Sequence, residues 1–164
     1  MAQKPFFNFD KKDIPEMPIQ NWILAMIRDK GKRRPRDALS IMYGVFIFTK
    51  ELLPSIEPEF EYKCTSCGPY SEKVALAMKQ LLSTNMLGMK GNGSSVLGGN
   101  SYILTEIGAK EAEKIVHKLP DVLKDKMEFM HFITTQMGLT GMVQFIYSIY
   151  PEHVYLHERR EDIV

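Results

Sequence analysis

Residues 71–108 read SEKVALAMKQLLSTNMLGMKGNGSSVLGGNSYILTEIG. The first third is helical: Val74, Met78, Leu81 and Leu82 recur at three- and four-residue spacing, and Ser71 suits the N-cap or first turn. Two short runs follow, Met86 to Lys90 and Ser101 to Leu104, around a loop containing Gly91, Gly93, Gly98 and Gly99. Such runs flanking a Gly/Asn/Ser loop predict a β-hairpin. Thr105, ahead of Glu106-Ile107-Gly108, is the N-cap of a further helix continuing through Ala109, Ala112, Ile115 and Val116.

Working outward from this centre, residues 18–53 predict two more helices. The first starts near Pro18, carries Trp22, Ile23, Met26 and Ile27 on one side, and ends at Gly31. The second begins at Pro35 with the stripe Leu39, Met42, Tyr43, Phe46 and Ile47, and Pro54 and Pro58 stop it. Phe60-Glu61-Tyr62-Lys63 alternates as a short strand able to join the hairpin's sheet, and Gly68-Pro69-Tyr70-Ser71 reads as a turn. Residues 1–17, with Pro5 and Pro15, form an irregular arm whose Phe6, Phe7 and Phe9 tuck against the domain or a partner. Beyond the centre, one helix follows Pro120 and a last one follows Gly138 and Gly141, ending at Tyr150-Pro151.

Three helices followed by a hairpin is the order of a winged helix–turn–helix. The fold class expected is α+β, mostly α, divided as an arm (1–17), a winged-helix core (18–105), a C-terminal helical extension (106–151, within the same domain or for dimerisation) and a mixed-charge tail (152–164). In such an arrangement the third helix enters the DNA major groove and the wing touches the flanking backbone.

The chain has 164 residues, 45% hydrophobic and 25% charged, with a net charge of +1. This is enough chain to bury a core. No apolar run reaches the ~18 residues of a membrane span. The N-terminus MAQKPFFNFDKKD carries no signal-like apolar region, so no membrane and a cytoplasmic location are expected. The near-neutral total conceals a patch. Arg28 to Arg36 reads RDKGKRRPR, which puts +5 on nine positions and leaves −4 on the other 155. Lys30, Lys32, Arg33, Arg34 and Arg36 are therefore candidate phosphate contacts, set against the reading of a solvated loop. On the third helix, Ser71, Lys73, Lys79 and Gln80 are candidate groove contacts, although Glu72 would repel phosphate and an ordinary exposed face has the same composition. Lys90, with Asn92 and Ser94, fits a wing tip or an unspecialised hairpin loop.

Cys64-Thr65-Ser66-Cys67 has the spacing of two zinc ligands. A structural site needs four, there is no second CxxC, and His117 and His131 or a second subunit's cysteines are the only helpers. No metal and no cofactor are assigned; a disulfide, a redox thiol next to a helix N-terminus or two free thiols remain alternatives. His153 and His157 with Glu158 read as solvated tail. With no G-x-S-x-G, P-loop or HExxH, the chain is read as not an enzyme. Phe145, Ile146, Tyr147, Ile149 and Tyr150 form a stripe for core packing or for a homodimer.

Three motifs carry a resemblance. FEYKCTSCGPYSEKVALAMKQLLSTNMLG (60–88), the YILTEIG of 102–108 and the IYSIYPE of 146–152 follow one another in an order similar to the YwgA-like group of winged-helix proteins, over residues 18–153. The chain departs from that group at Arg36-Asp37-Ala38-Leu39 and by the CTSC insertion. The resemblance implies a winged-helix fold and a regulatory role, with double-stranded DNA as partner. The alternative is a winged-helix adaptor that holds another protein, favoured by Glu72 and the neutral total.

Overall fold

The helix α1 (Ile19–Ile27) is apolar on every side, with Trp22 through Ile27 all buried. Such a helix needs neighbours all round, and it finds them in α2 (Ala38–Glu51), α3 (Glu72–Ser83), α4 (Glu106–His117) and α5 (Asp121–Ile149), which all pack on it. α5 also lies along α2. The computed structural model describes residues 5–30, 32–66, 68–90 and 100–153. One cluster of buried side chains runs from Phe9 and Ile14 through all five helices to Tyr150, so core and extension share it.

The fold is α+β and mostly helical, with two small antiparallel sheets. β4 (Leu87–Lys90) and β5 (Ser101–Leu104) form the expected hairpin, with Leu87 opposite Leu104 and Lys90 opposite Ser101. The glycine loop between them lies outside the described residues, as do Gly31, Cys67 and the tail from 154. The third strand of this sheet is β1 (Arg36–Asp37), which pairs with β5 to give the order β1-β5-β4.

β1 overturns two expectations. Residues 36 and 37 are extended, so α2 starts at Ala38 and not at Pro35. Asp37 caps it: its Oδ1 accepts from Ser40 N at 2.7 Å and its Oδ2 from Ser40 Oγ at 3.0 Å. The alternation of 60–63 does not make a strand of the hairpin's sheet. Phe60 closes a 3₁₀ turn (Glu57–Phe60), and β2 (Lys63–Thr65) pairs with β3 (Gly68–Tyr70) as a separate ribbon. The supposed GPYS turn is therefore strand up to Tyr70. α1 stops at Ile27, before Gly31, and α2 at Glu51, before Pro54.

The N-caps of α3 and α4 and the glycine break in α5 follow the sequence. Ser71 Oγ accepts from Val74 N at 3.1 Å, and Thr105 Oγ1 accepts from Gly108 N at 2.9 Å. Gly108 has a second duty: a β-carbon there would sit 1.9 Å from the Met86 carbonyl oxygen, so only glycine lets α4 start against the foot of the hairpin. Gly138, at φ 65° and ψ −175°, breaks α5 where the sequence places the last helix. In the C-terminal stripe, Ile146 and Tyr150 are buried and Phe145 and Ile149 pack on the core, whereas Tyr147 is exposed. The arm is held by Glu51, a buried carboxylate. Its Oε2 accepts from Phe6 N at 2.8 Å, its carbonyl accepts from Phe7 N at 2.8 Å, and its Oε1 accepts from the Tyr150 hydroxyl.

Candidate nucleic-acid interface

The outer face of α3 is built by helical spacing: Glu72, Lys73, Leu76, Lys79 and Gln80 are all exposed. Leu76, at 56% exposure, stands in its middle. Lys79 has no ion pair among the described residues, while Lys73 Nζ lies 3.4 Å from Glu61 Oε1. Lys63 Nζ lies 3.6 Å from Glu72 Oε1, which partly masks the acid at the helix start.

Ser71 leaves the set of surface contacts. It is fully buried, and its hydroxyl donates to the Phe60 carbonyl while capping Val74. Its one proton is spent inside the protein, so it has none to give a phosphate, and its burial keeps a base edge away.

The basic segment is more neutral than its composition. Arg28 Nε and Nη2 donate to the two carboxylate oxygens of Glu113 at 2.6 and 3.0 Å, a bidentate pair. Lys30 Nζ lies 2.9 Å from Glu128 Oε1, and Arg34 Nε lies 3.1 Å from Asp29 Oδ2. Arg36 is half-buried and its Nη2 lies 3.3 Å from His131 Nε2. Burial lowers the Arg36 guanidinium's affinity for its proton, with Asp29 opposing; arginine stays charged. Burial, then the Arg36 cation, hold the His131 imidazole below its ordinary value against the pull of Asp29 and the Met26 carbonyl. Of the six cations, Lys32 and Arg33 are exposed and have no ion pair among the described residues.

The sheet joins two parts of the candidate surface. Arg36, Tyr102 and Met89 form one cross-strand row, and Asp37, Ser101 and Lys90 the next. The linker's C-terminal end is thus two strands away from Lys90, which is exposed and without an ion pair among the described residues. No hydrogen bond or ion pair among the described residues joins the α3 side chains to residues 28–36. The neutralising carboxylates Glu113 and Glu128 have no signal in the sequence, because they sit about 85 and 100 positions away. Leu76 was findable, since it shares the spacing of Glu72, Lys73 and Lys79.

Cys64 is a half-buried free thiol in β2. Among the described residues no three His, Cys, Asp or Glu side chains come together as a metal site, and no helix is long and apolar enough to cross a membrane. No protein-family model matches the chain, and no curated protein matches it.

Proposed function

We propose that the chain is a winged-helix protein that binds double-stranded DNA through α3 and the β4–β5 wing. The observation that carries this reading is the sheet order β1-β5-β4. A two-residue strand between the first two helices pairs with the far strand of a hairpin that follows the third helix, which is the closed arrangement of a winged helix. α3 offers Lys73, Lys79 and Gln80 outward for groove contact. Lys90 at the wing and Lys32 and Arg33 in the linker contact phosphates, which position a protein without reading sequence. The protein works as a homodimer, expected as twice the chain mass in sedimentation.

Fluorescence anisotropy on random duplex DNA at low salt tests this. Binding that is weakened by Lys79→Glu and by Lys90→Glu, and not by Lys118→Glu at the far end of α4, supports it. No binding at low salt refutes it.

A second reading has its own observation. Leu76 places an exposed apolar side chain at the centre of α3's outer face, as a protein-binding adaptor would. A partner retained in stoichiometric amount after nuclease treatment, and lost with Leu76→Asp, would favour that reading.

A further inference from the structure

A cleft of about 430 Å³ opens between the end of α1 with its following loop, the end of α4 and the first half of α5. That size lies within the range of small-molecule sites, about 300–1,000 Å³. Its floor is apolar: Ala25, Val116 and Met127 are all buried. Phe132, also part of the lining, is 59% exposed. An aromatic ring left in water beside a concave apolar floor is the arrangement that receives a flat apolar body.

The rim carries four cations. Arg28, Lys30, Arg34 and Lys124 line it together with Asp29 and Glu128, and Glu113 and Asp121 pair with Arg28 and Lys124 from outside the lining. These cations are not equally committed. Arg28 is locked to Glu113. Lys124 keeps only a 24% exposed side chain, and its partner is Asp121 at 3.5 Å, a carboxylate almost wholly in water. Exposed pairs of that kind are worth little, so the Lys124 ammonium is available to an anion. Lys30 and Arg34 stand on the same rim, each with one carboxylate partner.

The walls add hydrogen-bonding capacity. Thr135 and Gln136 offer side-chain donors and acceptors. Asp29 and His131 add a carboxylate and an imidazole to the wall, Asp29 Oδ2 lying 3.1 Å from Arg34 Nε.

We propose that this cleft binds a small organic phosphate with an aromatic body, the dianionic head on Lys124, Lys30 and Arg34 and the ring between Phe132 and Met127. Lys124, whose carboxylate partner lies almost wholly in water, is the primary contact, with Lys30 and Arg34 beside it; lysine and arginine side chains are the usual partners of a phosphate monoester. The site stands whether or not the chain binds DNA.

Isothermal titration of the full chain with naphthyl phosphate, inorganic phosphate and naphthol, in the absence of DNA, tests it. One naphthyl phosphate is expected per chain, bound more tightly by about tenfold or more than either fragment. Lys124→Ala, at a half-buried position, and Phe132→Ala, at an exposed one, are each expected to weaken it about tenfold, while Lys79→Ala on α3 leaves it unchanged. Three results would overturn the proposal: no heat up to millimolar ligand, an affinity equal to that of inorganic phosphate, or an affinity indifferent to both cleft variants.

Discussion

Raising salt from about 50 to about 200 mM is expected to weaken the proposed protein–duplex complex about 150-fold, a number set by the ion pairs of the folded chain. Each phosphate neutralised by a lysine or arginine contributes about −0.9 to the slope of log K against log salt, through release of condensed counterions. A cation already paired with a carboxylate brings little new charge to the duplex. In this protein Arg28, Lys30, Arg34 and Lys73 are so paired, and Arg36 is half-buried. Lys32, Arg33, Lys79 and Lys90 are exposed and without ion pairs among the described residues. Four such cations give a slope of about −3.6, whereas all eight cations of the sequence-based contact set would give about −7. Anisotropy titrations at five or so salt concentrations separate the two. Replacing Lys32 and Arg33 together by alanine is expected to bring the slope to about −1.8, and replacing Lys30 and Arg34 to leave it near its starting value. A slope that falls equally for both pairs would show that the duplex strips the cations from Glu128 and Asp29, and the count from ion pairs would be refuted.

Further expectations concern the scaffold. Gly108→Ala drives a β-carbon into the Met86 carbonyl; a loss of about 3 kcal/mol is expected, read as a fall in Tm of about 6–12 °C. Ser71→Ala removes a cap and a donor to Phe60, which costs about 1–2 kcal/mol in chemical denaturation and leaves the salt slope of DNA binding unaltered. His131 and His153 both have imidazoles held below the ordinary value, first by burial and then by Arg36 and Lys50 respectively. The unfolded chain takes up these protons more readily than the folded one. The stability they support is therefore present above the ordinary histidine range and lost as pH falls through and below it. Denaturation at pH values on either side of about 6.5 should show this loss, and His131→Gln should reduce it.

What the sequence made legible is local. The spacing of Trp22, Ile23, Met26 and Ile27 marks α1, and Ser71 and Thr105 mark the starts of α3 and α4, because a hydroxyl reaching a backbone N–H three residues on is decided within one turn. Gly138 marks the break in α5. What stayed hidden is non-local. Arg36-Asp37 has no alternation of its own and is extended because β5 supplies the partner. Phe60-Glu61-Tyr62-Lys63 has the alternation and is no strand of the hairpin's sheet, since Phe60 sits in a 3₁₀ turn and is buried there. For the candidate interface, six basic residues in nine positions made a conspicuous run, but Arg28 and Lys30 are paired by Glu113 and Glu128 from two other helices. Ser71 shows the opposite trap. A polar residue at the start of a candidate groove helix looks like a contact, yet the cap geometry turns its hydroxyl inward.

The carboxylate of Glu51 receives the backbone of Phe6 from one end of the described chain and the hydroxyl of Tyr150 from the other. Chain ends ordinarily fray independently and exchange their amide protons fastest. Here opening either end strips a partner from the same buried anion. The two ends are thereby coupled in local unfolding, and their slowest amides should exchange with one shared opening free energy, so that trimming the arm is felt at the end of α5, 99 residues from Glu51 along the chain.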